Sequence, residues 1–384
     1  MKKDRVLIDG APRDTKWLNA LHSASIVHDD VFDRLELKTS TQIAEANRSI
    51  ALVKELLETM STFMHGFHMK KRFLQRVADF FGPPPRVDSI EVSVVSLANY
   101  CAFAYKGSPY RIELSIGAIV RTASLCNEIS AILHDGVTIN KPSSIYSSSI
   151  HGKLFETNPS STLSRNSADR LTLIGILLLF GHEFSHVCHG HCDLNVRRKL
   201  SDDERCAIES DADLSAGSTA AGTILQNKSI LDLIHITATP SEEEQKNLMR
   251  DAVMSSLVQF ILLQEFSDNA SRKYLVPAIR QACFFSSFIN YIAWLPKAPL
   301  QPVFHILPKY LDDAFAHAIH TQCIETLKSS SIESAITNIS FREDDFIRLQ
   351  SISNLRDKLK VELAPLRPFG MVDYLKFIGE KNTN

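Results

Sequence analysis

The sequence predicts an α+β fold that is mainly α, and three observations support this prediction. Apolar residues recur at helical spacing through most of the 384-residue chain. Three short segments between 90 and 115 instead have the alternating pattern and the β-branched or aromatic residues that are typical of strands. An almost wholly apolar run at 171–180 leads directly into ionisable residues, which indicates a buried helix that carries a polar site.

The Gly-Pro-Pro-Pro segment at 82–85 is the clearest break in the chain and indicates a domain boundary. We expect a helical N-terminal region at 1–85, a mixed domain with a small sheet at 86–295, and a helical C-terminal region at 296–384. The segment 43–64 supports the first of these, because its apolar residues recur at helical spacing.

Within the mixed domain, strands are predicted from Ile90 onward, at 100–105 and from Tyr110 onward, and helices are predicted around the apolar segments that follow. The apolar run should belong to a helix at about 167–189, with Asn166, Ser167 and Asp169 at its start and Gly190 as its stop. Two further helical stretches are predicted to flank 118–133, and more helices are predicted at 207–225, within 242–294 and at 309–329. The helix at 207–225 is rich in small residues that would allow close packing on the preceding helix: Ala212, Ala216, Ala220 and Ala221.

Composition favours a soluble globular protein, with 44% hydrophobic and 22% charged residues. A formal net charge of −2 gives no electrostatic reason to expect nucleic acid or an anionic membrane as a partner. The basic start lacks a following apolar stretch, so we expect no secretory signal, and the run at 171–180 is too short to span a bilayer. Seven scattered cysteines do not indicate a disulfide framework, so we expect a cytoplasmic protein.

The motif His-Glu-x-x-His at 182–186 carries the main functional signal. On a helix, His182 and His186 lie four residues apart on one face and can bind one metal ion. Glu209 offers a carboxylate as a third ligand, which leaves the fourth tetrahedral position open. Glu183 lies beside that face and can act as the general base for a water molecule. These residues predict a hydrolytic site that contains Zn²⁺.

Two acidic residues close to Glu209 have different expected roles. Asp213 follows Glu209 by four residues on the same helical face and can accept a hydrogen bond from a metal-binding histidine. Asp211 should point elsewhere on that helix.

The sequence does not determine the group that stabilises the oxyanion. Tyr274 and Arg280 are candidate catalytic residues for this role, and Tyr291 and His305 are further candidates.

A separate structural zinc site was considered at the end of the motif helix. It would use residues from Cys188, His189, His191, Cys192 and Asp193, but their spacing is not that of a zinc finger or knuckle. The metzincin motif is not met either, because His189 stands where its glycine would be and Cys192 where its third histidine would be. Glu209 therefore remains the better third ligand.

The His-Glu-x-x-His motif with a downstream Glu-x-x-x-Asp resembles the signature of the gluzincins, the thermolysin-like zinc metallopeptidases. The resemblance implies a zincin-like catalytic domain with a small edge-strand sheet and an active-site helix, flanked by helical regions. It implies that Glu183 is the base and that Asp213 orients His182. One strand would be the edge that pairs with an extended substrate. The segment 277–280 resembles a shortened His-Pro…Arg segment of such enzymes, with Val276 in place of the histidine.

Within that class, the residues from His182 to His191 look most like those of the bacterial phage-exclusion peptidases of the Lit type. This resemblance covers about 88–290 and implies a cytoplasmic protease that cleaves a host protein when infection triggers it. Its expected partners are a protein or peptide substrate and a trigger or regulatory protein.

Two other functions compete with a zinc-dependent endopeptidase. One is a zinc hydrolase that acts on a non-peptide amide, which the sequence excludes poorly. The other is a regulatory or scaffold protein with a structural zinc site. Glu183 argues against the second, because a purely structural site needs no base.

Overall fold

The computed structural model describes residues 3–7, 29–69, 90–107, 110–137, 154–237, 241–266, 275, 277–294, 321–325 and 343–366. In these residues the chain is mostly helical with one small sheet, which confirms the predicted α+β, mainly α class. The helices are α1 (Asp29–Arg34), α2 (Ser40–Met69), α3 (Ile116–Asp135), α4 (Thr162–Cys188), α5 (His191–Arg197), α6 (Asp202–Gln226), α7 (Lys228–Leu233), α8 (Glu242–Phe266), α9 (Pro277–Trp294) and α10 (Glu343–Leu363).

The sheet has the strand order β1-β2-β4-β3. Its strands are β1 (Lys3–Leu7), β2 (Ile90–Val95), β3 (Ala102–Tyr105) and β4 (Tyr110–Ser115). β2 runs parallel to β4, whereas β1 is antiparallel to β2 and β3 is antiparallel to β4. The three strands predicted between 90 and 115 are therefore present, and β3 forms one edge of the sheet.

β1 differs from the helical structure expected for 1–85. It forms a strand because it pairs with β2 in a continuous register, from Lys3 opposite Val95 to Leu7 opposite Glu91. The predicted boundary at 82–85 lies outside the described residues, so the proposed domain limits stay predictions. The described helices α1 and α2 contribute to the same hydrophobic core as α4.

α4 is the central helix, and every residue in its second part, 171–188, is buried. Such an apolar helix is stable only when other elements cover it on all sides. Here α3, α6 and α8 pack against it. The predicted stop is confirmed, because the helix ends at Cys188 and Gly190 takes the left-handed conformation with φ of 80°.

The predicted start of α4 at Asn166 was wrong, since the helix begins at Thr162. Ser161 and Ser164 form a reciprocal capping box, and the hydroxyls of both donate to Asp135 at 2.7 Å. Asp169, which resembled a residue of the first turn, instead lies inside the helix and accepts two hydrogen bonds from Arg48 on α2.

α6 packs closely on both α4 and α9, as its small residues predicted. Ala212, Ala216, Ala220 and Ala221 are fully buried. A Cβ at Gly181 of α4 would lie 3.0 Å from the carbonyl oxygen of Ala216, and a Cβ at Gly217 would lie 2.1 Å from the carbonyl oxygen of Phe284 on α9. The helix backbones therefore touch at these two positions, which fixes the position of α6 relative to both neighbours.

Two helices, Ile116–Asp135 and Thr162–Cys188, are long and apolar enough to cross a membrane by length and composition alone. Their most apolar windows are 78% and 100% buried inside the protein, as in the core helices of a soluble protein.

We predict that Gly217→Ala destabilises the protein, because the added methyl group would overlap the backbone of α9. Overpacking of this kind typically costs about 1–3 kcal/mol. Gly222→Ala is the matched control on the same helix, since its Cβ would meet only the end of the Tyr291 side chain, at 3.0 Å. Alanine gains about 1 kcal/mol of helix propensity over glycine, which offsets that contact. Chemical denaturation of both variants measures the difference, and equal stabilities would contradict the proposed backbone contact.

Candidate metal centre

α4 and α6 bring together the three predicted metal ligands. His182 Nε2 lies 3.1 Å from Glu209 Oε2 and 3.1 Å from His186 Nε2. His186 Nε2 lies 3.6 Å from Glu209 Oε1. The two histidines are buried by the surrounding helices, whereas Glu209 is partly exposed. Two residues of α4 and one residue of α6 therefore offer ligand atoms within 4.8 Å of one another, close enough to hold one metal ion.

These distances match what a tetrahedral ion requires. Ligand atoms at 2.0–2.1 Å from such an ion are separated from one another by about 3.3 Å. The observed separations of 3.1, 3.1 and 3.6 Å lie on both sides of this value, with a different oxygen of Glu209 facing each histidine. The donor set of two imidazoles and one carboxylate is also that of several catalytic metal sites that keep a fourth position open.

Asp213 lies behind His182, as predicted. Its Oδ1 is 2.8 Å from His182 Nδ1, although the ring N–H is not well aligned with that oxygen, so the contact is mainly electrostatic. Arg280 donates to both oxygens of Asp213, with Nε at 2.7 Å and Nη2 at 2.9 Å. This bidentate ion pair is buried and holds the carboxylate in place.

The charges around His182 favour a cation. Burial alone would lower the pKa of His182, but the carboxylates of Asp213 and Glu209 outweigh this effect and raise it to about 10. Burial likewise acts to raise the pKa of Glu209 and of Asp213. For Glu209, the charges and hydrogen bonds of His186 and His182 outweigh the effect of burial, and the pKa falls. For Asp213, Arg280 and His182 outweigh it, and the pKa falls as well. The two ionised carboxylates therefore create a negative potential that stabilises a cation at the point where a metal ion would lie.

Glu183 is buried next to these ligands and faces the same cleft. Burial raises its pKa above the usual value for a glutamate, although the neighbouring histidines act in the opposite direction. A carboxylate whose pKa is shifted towards neutrality is suited to accept a proton and to release it again.

The cleft in front of the ligands has a volume of about 330 Å³. One wall is the edge strand β3 with the residues just before it, and the exposed side chain of Phe103 lies on this strand. The remaining walls come from the helices. The lining residues are Tyr100, Cys101, Ala102, Phe103, Ala104, Leu179, His182, Glu183, His186, Cys192, Asn195, Glu209, Gln259, Leu263, Arg280 and Phe284.

The pair of strands β3 and β4 is attached to the start of α5. Lys106 Nζ and the Tyr110 hydroxyl each donate to the Asp193 carboxylate, both at 2.5 Å. Both carboxylate oxygens of Asp193 therefore accept a hydrogen bond from this pair of strands, one from each residue.

The four candidates for oxyanion stabilisation differ in their position relative to the cleft. Arg280 lines the cleft, whereas Tyr274 and His305 lie outside the described residues. Tyr291 lies beside Gly222 and is not among the cleft residues. Tyr100 was missed as a site residue because its segment was interpreted only as a strand; this residue lines the cleft, and its hydroxyl donates to Gln259.

A second group of potential ligands lies behind the first. His189 Nδ1 is 2.5 Å and His191 Nε2 is 3.3 Å from Asp211 Oδ2. As predicted, Asp211 points away from the first group. Among the described residues, the second group that can hold a metal consists of His189, His191 and Asp211, without the cysteines considered for a structural zinc site.

A scan against protein-family models, a search of curated proteins and a search of solved structures found no match to this chain. The resemblance to gluzincins rests on the motifs themselves, so the function has to be argued from the geometry of the site.

We predict that Glu209→Ala weakens metal binding by more than about a hundredfold. Loss of an outer partner of a ligand already costs 10- to 100-fold, and this change removes a ligand itself. Asp203→Ala removes an exposed carboxylate from the same helix and should leave affinity unchanged. Competition with a chromophoric chelator, with zinc as the added metal, measures both variants. Unchanged affinity in Glu209→Ala would show that another residue is the third ligand.

Proposed function

We propose that this protein is a zinc-dependent endopeptidase of the gluzincin type, with a zincin-like catalytic domain. The observation that carries the proposal is the position of Glu183. A buried carboxylate with a raised pKa lies beside two imidazoles and a carboxylate that converge on one point, in a cleft bordered by the edge of a sheet. A structural metal site would need neither the base nor the cleft.

His182, His186 and Glu209 would hold the zinc ion. When bound there, zinc makes water more acidic and polarises a carbonyl group, which together are sufficient for amide hydrolysis without a covalent intermediate. Asp213 and Arg280 orient His182 from behind, so that its Nε2 faces Glu209 and His186.

Glu183 would carry the proton through the reaction. Its carboxylate accepts a proton from the attacking water, and the resulting carboxylic acid donates that proton to the leaving amine. The burial that raises its pKa favours the protonated form between these two steps. Bulk water competes little for the proton, because Glu183 is only 8% exposed.

The edge strand β3 supports a peptide as the substrate. β4 pairs with β3 on one side, and in the described residues no strand covers the other side. An extended peptide can add to such an edge through main-chain hydrogen bonds, which bind any sequence in a fixed direction. The cleft lies along this edge and continues to Glu183. This arrangement favours a peptide over a small non-peptide amide, which would have no use for a strand edge.

Arg280 would act mainly through Asp213, because two of its nitrogens already bind that carboxylate. We keep it as a candidate for oxyanion stabilisation because it lines the cleft. Tyr274 remains a prediction of the sequence in the same role.

The resemblance of 182–191 to Lit-type peptidases supports a narrower proposal. In that proposal the protein is a cytoplasmic phage-defence protease that cleaves a host protein and responds to a trigger or regulatory protein. The motif alone supports this part, since the geometry of the site is the same whichever protein is cleaved.

We predict that Glu183→Gln retains zinc but loses cleavage by a factor of about 10²–10⁴ or more, because the amide cannot accept the proton. Glu156→Gln makes the same change at an exposed position and is the control. Each purified protein is incubated with a cytoplasmic lysate, and new peptide termini are identified by mass spectrometry. Cleavage by Glu183→Gln at the wild-type rate would refute the role of Glu183 as base. Zinc binding without new termini in the wild type, both in this lysate and in a lysate of phage-infected cells that would contain the trigger, would argue against the endopeptidase itself.

A further inference from the structure

The ligand His186 is in contact with a second histidine on the side away from the cleft. His186 Nδ1 lies 3.0 Å from His191 Nδ1, and both rings are buried, with His191 fully enclosed. Two ring nitrogens at this distance share a hydrogen bond in which one carries the proton and the other accepts it. One proton therefore lies between the two nitrogens, and either histidine could be its donor.

Binding of a metal by His186 identifies the donor. A neutral imidazole that binds a metal through Nε2 carries its proton on Nδ1. His186 is then the donor, and His191 Nδ1 is the acceptor. A neutral His191 must consequently carry its own proton on Nε2. That atom faces Asp211 Oδ2 at 3.3 Å, although the ring N–H is not aligned well enough with that oxygen for a hydrogen bond, so Asp211 favours this tautomer mainly through its negative charge.

We propose that His191 is a positioning residue for the metal ligand His186, and that Asp211 holds His191 in the tautomer that can accept the His186 proton. This inference rests on the proposed metal site and extends it by one histidine and one carboxylate. Each metal-binding histidine then has its own support: Asp213 and Arg280 behind His182, and His191 and Asp211 behind His186.

The same residues admit a rival interpretation, because His189, His191 and Asp211 are close enough to hold a metal ion themselves. A metal on His191 Nε2 would place the proton of His191 on Nδ1. If the first site were also filled, two N–H groups would then face each other at 3.0 Å, which is repulsive for neutral rings. The two sites therefore exclude each other, and the two groups of described residues together should bind one metal ion.

The test uses two replacements of His191 in the full-length protein, with zinc as the probe. His191→Leu fills the buried space but cannot accept a hydrogen bond, so we expect zinc affinity to fall 10- to 100-fold. His191→Asn is smaller and polar, but its Oδ1 can accept from His186 Nδ1. We expect it to bind zinc more tightly than His191→Leu and to approach the wild-type affinity. A role in packing alone would give the opposite order, because leucine is the better occupant of a buried site.

Metal stoichiometry completes the test. We expect one zinc per wild-type chain, measured by mass spectrometry of the intact protein and by elemental analysis. Two zinc ions per chain, with one lost in His191→Leu, would overturn the inference in favour of a second metal site. Equal affinity of wild type and His191→Leu would overturn it as well. Asp211→Ala provides an independent variant if His191→Leu does not fold, and a drop of about tenfold is expected there.

The inference and the proposed function can fail separately. If zinc binds with the expected stoichiometry and the expected order of the His191 variants, but no substrate is cleaved, the positioning role stands and the peptidase proposal fails. If wild type cleaves normally and His191→Leu binds zinc as tightly, the peptidase proposal stands and the positioning role fails.

Discussion

The candidate site depends on the close packing of α4 against α6. The histidines lie on one helix and Glu209 on the other, so the distances of 3.1 Å from His182 and 3.6 Å from His186 to Glu209 are set by the distance between the two helix backbones. That distance is short because Gly181 meets Ala216 without a Cβ between them. A larger residue at either position would move Glu209 away from the histidines, even though neither position contacts a metal ligand through its side chain.

The second constraint is electrostatic. The apolar part of α4 leads straight into three ionisable residues that are 6–8% exposed, and an unpaired charge at such depth is unstable. α6 and α9 supply the compensation for the histidines, since Glu209 faces both His182 and His186. Asp213 is paired with both His182 and Arg280. Opposite charges within the cluster offset one another, so its members can be buried together although none of them could be buried alone.

The sequence predicted which residues come together at the candidate site, because helical periodicity determines which side chains share a face. His182 and His186 are four residues apart, as are Glu209 and Asp213. Residues at this spacing share a helix face however the helices pack against one another. The same periodicity also placed Asp211 on another face. Strands β2, β3 and β4 were predicted for a similar reason, since their alternating pattern and their β-branched or aromatic residues are local signals. The contact between His186 and His191 could not be predicted, because it depends on how the chain turns at Gly190. Tyr100 and the pairing of β1 were missed because each depends on contacts between segments distant in sequence. The start of α4 was wrong because several polar residues near it can cap a helix, and only the contact with Asp135 selects Ser161.

The attachment of the edge strand to α5 has a mechanical consequence. Lys106 and Tyr110 hold Asp193, and Asp193 lies two residues after His191 in the same short helix. A displacement of the β3–β4 pair therefore pulls on the helix whose first residue contacts His186. The sheet edge at β3 and the contact of His191 with His186 are therefore mechanically coupled. A force on β3, for example from a bound peptide, would reach the candidate metal centre through α5.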